Sequence, residues 1–229
     1  NTGLLREIKK EKIKEVAKRY SNFPKYSMWG ALLNVSGYQI TNILISAFFG
    51  SYYLGQYYMA FKILGIPSVF IGTAISQVFF KQAIEEVQKT GKAINTFKST
   101  LKKLLIISVP IFLVIFISVK PLFPFVFGQE WKDAGLYAMI LAPFFGIRFV
   151  SSSLSIIISV YEKNKTDLLI HFMNNLINTL LIILIKNFNY FIIIFSISLS
   201  LFYFVLIIYF YRLSQKLKIY KNFEYEINS

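Results

Sequence analysis

The chain has 229 residues, 55% of them hydrophobic, with a mean hydropathy of +0.55 and a formal net charge of +14. It is too apolar for an ordinary soluble domain, and its apolar runs approach the ~20 residues that a bilayer-crossing helix needs. There is no cysteine, the single histidine stands in no H-E-x-x-H pattern, G-x-G-x-x-G does not occur and Gly91-Lys92 is not a complete phosphate-binding loop; no metal, cofactor or catalytic residue is therefore expected.

Residues 1–28 carry eight Lys/Arg and three Glu. Leu5, Ile8, Ile13, Val16 and Tyr20 make this segment either a basic amphipathic helix on a membrane surface or a solvated linker, ended by Pro24. Six apolar spans follow across 29–211, at about 29–49, 56–80, 104–125, 134–160, 168–186 and 190–211, before a basic tail, 212–229. The first span is rich in amides for a lipid-facing helix: Asn34, Gln39 and Asn42, with Tyr38 and Thr41. The second holds Lys62, with Thr73 and Gln77 on the same side of the helix. Gly55, Gly65 and Gly72 permit close helix approach there, and Pro67 invites a kink. Residues 81–103 read as a charged hydrophilic link, and Lys120 can snorkel from the end of the third span.

The fourth span contains Arg148 near its middle. Ser151, Ser152, Ser155 and Ser159 fall at i+3, i+4, i+7 and i+11 from it, so the spacing predicts one helix face with a cation and a hydroxyl stripe. In the fifth span His171, Asn174, Asn175 and Asn178 fall at i, i+3, i+4 and i+7, a second polar stripe. The sixth is the most apolar and carries only Ser196, Ser198 and Ser200 as small polar residues. The expected fold is all-α: a polytopic membrane bundle of six transmembrane helices.

Twenty of the 25 Lys/Arg fall in the segments on one side of these spans, three on the other and two within them. A bias of this size orients a membrane protein and predicts that both ends of the chain are cytoplasmic. It also accounts for the net charge without nucleic acid, which is not expected as a partner. All eleven Asp/Glu lie in links or at the ends, so no span supplies a carboxylate for a proton or sodium relay.

An arginine at a helix centre costs roughly 2.5–3.5 kcal/mol to insert, which the surrounding apolar residues offset. One reading packs Arg148 against carbonyls inside the bundle; the other lets it line a polar cavity and attract an anion. Lys62 either snorkels or does the same. Polar stripes on three helices each need a neighbour other than lipid, which favours a shared wet cavity rich in cations, amides and hydroxyls. Amides suit sugar hydroxyls, and the cations suit phosphate or pyrophosphate.

Two stretches resemble a known family. Gly55-Gln56, Lys62, Pro67, Ile71-Gly72 and Gln77-Val78-Phe79 form one. Phe127-Gly128, Trp131, Ala134-Gly135, Ile140-Leu141-Ala142-Pro143, Arg148-Phe149 and Ser151-Ser152 form the other. Both are similar to bacterial polysaccharide flippases of the Wzx type, within the multidrug/oligosaccharidyl-lipid/polysaccharide exporter superfamily. Ser153 stands where the resemblance leads one to expect proline. The similarity covers most of 20–165 and is to the second of two six-helix lobes.

The resemblance implies alternating access and the flipping of undecaprenyl-pyrophosphate-linked oligosaccharide across the bacterial inner membrane. It implies a partner N-terminal lobe preceding this chain, the lipid bilayer, and a polysaccharide polymerase complex nearby. Arg148 and Lys62 are then the candidate substrate-binding cations, with Asn34, Gln77, Ser152, His171, Asn174, Asn175 and Asn178 as further polar lining. The alternatives are a multidrug or cation exporter of the same superfamily, a membrane-embedded polysaccharide polymerase or ligase, and a purely structural membrane subunit. A polymerase or ligase would need a substantial external loop, and every external link here is short.

Overall fold

The computed structural model describes residues 28–218; the opening basic segment, with the amphipathic helix considered for it, and the last eleven residues of the tail lie outside the described residues. In chain order the helices are α1 (Met28–Phe49), α2 (Ser51–Pro67), a π-helical turn (Ser68–Gly72), α3 (Thr73–Thr90), α4 (Ile94–Phe127), α5 (Lys132–Leu154), the short α6 (Ile157–Val160), α7 (Asn164–Leu184) and α8 (Phe188–Ser214). The described residues contain no strand. With α2, the π turn and α3 counted as one rod, six helical rods are long and apolar enough to cross a membrane. The chain is an all-α, multi-pass membrane protein.

The rods alternate in direction and leave short links. One end of the bundle gathers the Lys/Arg-rich segments and is called here the basic end. The opposite end has only Gly50, Gly128–Trp131 and Ile185–Asn187 between rods. Gly50 and Gly128 take positive φ values of 98° and 101°, a conformation that glycine alone adopts without strain. Asn187 caps α8 by accepting from the N–H groups of Asn189 and Tyr190.

At the centre stands α5, which packs most extensively against α4, then α8 and α2; α1 packs chiefly against α7. Small residues set these distances. A Cβ on Gly135 would lie 2.9 Å from both the Lys120 carbonyl oxygen and the Phe123 Cβ, so α4 and α5 touch nearly backbone to backbone. Ser108 on α4 donates to the Gly146 carbonyl of α5 (2.9 Å), and Ser196 on α8 donates to the Ile140 carbonyl (2.8 Å). At the opposite end Gln56 of α2 is buried and bridges the start of α5. Its Nε2 donates to the Glu130 carbonyl and its Oε1 accepts from the Ala134 N–H, both at 2.8 Å. The amide side chain thus satisfies one of the N–H groups that every helix start leaves open.

Three local features differ from the sequence expectation. The charged link 81–103 is helical except for Gly91–Ala93, because α3 and α4 extend past the apolar zone and pack on each other through Phe79, Ala83, Val87 and Phe97, all buried. Glu86 of α3 accepts from the Asn95 and Thr96 N–H groups and so caps α4. The fourth span is not one helix: it breaks between Leu154 and Ile157. No proline is required, since the Ser152 and Ser153 hydroxyls both bond back to the Phe149 carbonyl and Ser155 to that of Ser152, contacts that bend helices. The hydroxyl stripe is accordingly split, with Ser151 buried in the bundle and Ser152 and Ser159 exposed. Pro67 is followed not by a simple kink but by the π turn, where Thr73 Oγ1 bonds the Val69 carbonyl.

The basic end is stitched by the residues after α8. The Ala93 N–H donates to the Ser214 carbonyl (3.1 Å) and the Lys218 N–H to the Gly91 carbonyl (2.8 Å). Tyr161 donates toward the Ser214 and Lys216 carbonyls, and Lys218 reaches the Val160 carbonyl and the Glu162 carboxylate. Three chain links are held together there.

Candidate functional site

A cavity of about 250 Å³ lies between the α1–α7 pair and the α2/α5/α8 side of the bundle. Five helices line it. The first contributes Asn34, Tyr38, Gln39, Thr41 and Asn42; α5 contributes Phe144 and Arg148; α7 contributes Asn174, Asn175 and Asn178. Tyr57, Tyr58 and Phe61 from α2 and Phe195, Leu199 and Tyr203 from α8 complete the wall. Asn34, Tyr38, Gln39 and Tyr58 are its exposed members and form the open side. Apolar membrane helices converge here only because each turns its polar positions inward, as polar groups in lipid must.

Arg148 occupies the floor. Its guanidinium carbon lies 5.3 Å from the ring centres of Tyr38 and Phe61, 5.4 Å from Phe145 and 5.9 Å from Phe144. It donates a hydrogen bond to the Tyr38 hydroxyl, and Tyr57 and Tyr203 are near enough to interact with it electrostatically. Among the described residues no carboxylate forms an ion pair with it: Asp167 lies beside His171, and Glu162 pairs with Lys218. A ring of aromatic faces stabilises the cation through the quadrupoles of the rings while leaving it without a counter-ion.

The α7 stripe divides by role. Asn175 holds helices together: its Nδ2 donates to the Leu33 carbonyl of α1 (2.8 Å), and a Cβ on Gly37 would overlap its amide group. His171 pairs with Asp167 at 3.7 Å over Gly30 and does not line the cavity. Asn174 and Asn178 do line it, and each leaves a buried Oδ1 without a hydrogen-bond partner. These two oxygens are closed off from the cavity themselves, and an acceptor left without a partner costs about 1–3 kcal/mol.

The remaining sequence candidates lie elsewhere. Lys62 is exposed on α2, its Nζ 5.0 Å from the ring centre of Tyr58, and is not part of the cavity wall. Gln77 and Ser152 line a second, shallower hollow of about 320 Å³ beside the π turn, together with Ser68, Gly72, Thr73, Ser76 and Ser153. The structure thus unites Asn34, Arg148, Asn174, Asn175 and Asn178, and separates them from Lys62, Gln77, Ser152 and His171. Sequence reasoning missed Tyr57 and Tyr203. Tyr203 carried a signal, a phenol well inside an apolar run and away from the interfaces where tyrosine normally sits; Tyr57, at the start of its span, carried none. Among the described residues no cluster of His, Asp and Glu could hold a metal ion.

Residues 7–136 match a family model described as polysaccharide biosynthesis protein. The match takes in Asn34, Lys62 and Gln77 and ends before Arg148. Over 126 residues, 55% of this chain, the sequence is 29% identical to the teichuronic acid biosynthesis protein TuaB of Bacillus subtilis (strain 168). The matched part is 26% of that relative's length. No solved structure matches the chain.

Proposed function

From the premise that this chain belongs to the polysaccharide biosynthesis protein family, we propose that it is a transport module rather than an enzyme, one six-helix lobe of a flippase that moves polyprenyl-pyrophosphate-linked oligosaccharide across the bacterial inner membrane by alternating access. The observation that carries the reading is Arg148: a cation without a carboxylate partner among the described residues, set among amides in a cavity between membrane helices. A guanidinium so placed draws an anionic group of the passenger out of water.

In this proposal a second lobe, supplied outside these 229 residues, completes the transport path. Its inner side meets the exposed face of α2 and α3 that carries Lys62, Thr73 and Gln77. The charge bias supports an orientation with both ends of the segment in the cytoplasm. A polysaccharide polymerase complex is the natural consumer of the flipped unit.

A cation exporter is less well supported, because the aromatic faces that would hold a cation are filled by Arg148 itself. A polymerase or ligase finds little footing in the short links at the opposite end, which are Gly50, Gly128–Trp131 and Ile185–Asn187. Replacement of Arg148 by alanine is the direct test. Surface glycan is expected to fall at least tenfold at unchanged protein level and membrane insertion; near-normal glycan would remove the basis of the proposal.

A further inference from the structure

Helices α4 and α8 both pack on α5 but barely on each other, so a cleft of about 650 Å³ opens between them with α5 as its floor. No charged residue lines it. Ser108 is its one polar side chain, and that hydroxyl already donates to the Gly146 carbonyl of the floor. At the basic end the two walls meet: the Phe97 and Tyr211 ring centres are 6.0 Å apart, and the Ala93 N–H donates to the Ser214 carbonyl. From Leu101 to Phe116 the α4 wall runs about 22 Å, more than half of the ~30 Å hydrocarbon core of a bilayer. About 650 Å³ over that length leaves a section of about 30 Å², the girth of one hydrocarbon chain and too narrow for a helix about 10 Å across.

Two cations stand where the cleft closes. Lys98 and Lys102 bracket Leu101, the first residue of the α4 wall, and both are exposed. Helical spacing aligns Lys98 with Leu105 and Val109, at i+7 and i+11, and Lys102 with Val109 and Leu113 at the same intervals. Lys103 is turned about 100° further round the helix, away from the cleft. Among the described residues neither Lys98 nor Lys102 pairs with a carboxylate, and Glu86, at the start of α4, is engaged by the Asn95 and Thr96 N–H groups.

We propose that the cleft binds one anionic glycerophospholipid from the leaflet at the basic end, with an acyl chain lying between α4 and α8 and the phosphate meeting Lys98 and Lys102. Apolar contact alone does not single out a lipid, because bulk lipid tails are as apolar as the cleft. Charge does: a choline headgroup brings its own cation toward the lysines, whereas a headgroup of net negative charge meets them unopposed. The bound chain joins α4 to α8, which otherwise touch mainly through α5. The site does not depend on the transport reading.

The test titrates the chain in detergent micelles with phosphatidylglycerol, phosphatidylcholine and a polyprenyl phosphate, and counts retained lipid by native mass spectrometry. One phosphatidylglycerol per chain is expected, at least tenfold tighter than phosphatidylcholine. The Lys98→Gln, Lys102→Gln double variant should lose about tenfold or more of that affinity, and Lys103→Gln should keep it. Val109→Trp fills the cleft from an exposed position and should abolish retention while leaving the unfolding midpoint in lipid-free detergent unchanged or raised. Val114→Trp, equally exposed but outside the cleft, should leave retention intact.

Equal retention of the two phospholipids, a preference for polyprenyl phosphate, or a loss in Lys103→Gln as large as in the double variant overturns the site. Retention that survives Val109→Trp overturns it too. So does a chain recovered as a lipid-free dimer, which would put a second copy against the cleft.

Discussion

The α5 core and the α1–α7 pair solve the same problem in opposite ways. Of the apolar window in the rod that contains α5, 56% is buried in the bundle, against 17% for α1 and 11% for α7. Around α5 the contacts are close and apolar: Gly135 against α4, Phe112 on Phe149, and Phe144 and Phe145 on each other and on their neighbours. Lipid gives no hydrophobic drive for helices to associate, so this side is held by dense packing and a few hydroxyl–carbonyl bonds. The α1–α7 pair is joined internally by Gly37 beneath Asn175 and by the Asn175–Leu33 bond, and it borders the core across a cavity of polar groups. The core is held by close apolar packing, the pair borders it through polar groups, and the cavity lies on the seam between them.

The largest effect is expected from breaking the rigid side. Gly135→Leu would drive a branched side chain into the Lys120 carbonyl and the Phe123 Cβ, where the obstacle is backbone that cannot swing aside. Overpacking of this kind costs about 1–3 kcal/mol or more and should here prevent α4 and α5 from docking. The measurement is the folded fraction recovered by gel filtration after detergent extraction, and it should fall to near zero.

Next comes the joint at the opposite end. Gln56→Leu keeps the volume but strips partners from the Glu130 carbonyl and the Ala134 N–H. Two orphaned backbone groups at about 1–3 kcal/mol each predict a loss of roughly 2–6 kcal/mol in unfolding by denaturant. A loss under about 0.5 kcal/mol would mean that water or a neighbouring chain already serves these groups.

What the residues announced in advance follows the same division. Long apolar runs make helices that cross membranes whatever their neighbours, so the all-α bundle was legible from hydropathy. The polar stripes were legible as stripes, because helical periodicity fixes which positions share a face. Which member of a stripe does what was not: His171, Asn174, Asn175 and Asn178 are neighbours on one helix, yet one pairs with a carboxylate, one bonds α1 and two line the cavity. That division depends on where Gly30 and Gly37 let α1 come close, a fact about another helix. Gln56 shows the converse. It belongs to a stretch singled out by its resemblance to flippases, and its place in the structure is as a clamp on α5. The break after Leu154 was missed because its serines read as a stripe on one continuous helix, and periodicity does not register a hydroxyl bonding back to its own helix.

The mildest test sharpens the comparison from the α1–α7 side. Gly37→Ala places a methyl group where the Asn175 amide now sits, and Asn175 is a side chain that can move. The expected cost is about 1–3 kcal/mol, with α1 and α7 pushed apart and the core left intact. Asn175→Ala alone gives up one hydrogen bond to the Leu33 carbonyl, about 1 kcal/mol. In the double variant the new methyl group meets only another methyl group, so the two losses should not add; a coupling energy of about 1 kcal/mol or more, measured by denaturant unfolding in micelles, is expected for residues in direct contact. The chain has no cysteine, so introduced cysteine pairs across α1 and α7 report the separation without background. Cross-linking should fall in Gly37→Ala and return in the double variant, while a pair placed across α4 and α5 stays unchanged throughout. If the α4–α5 pair loosens as well, the two regions respond as one body, and the seam between them is no mechanical boundary.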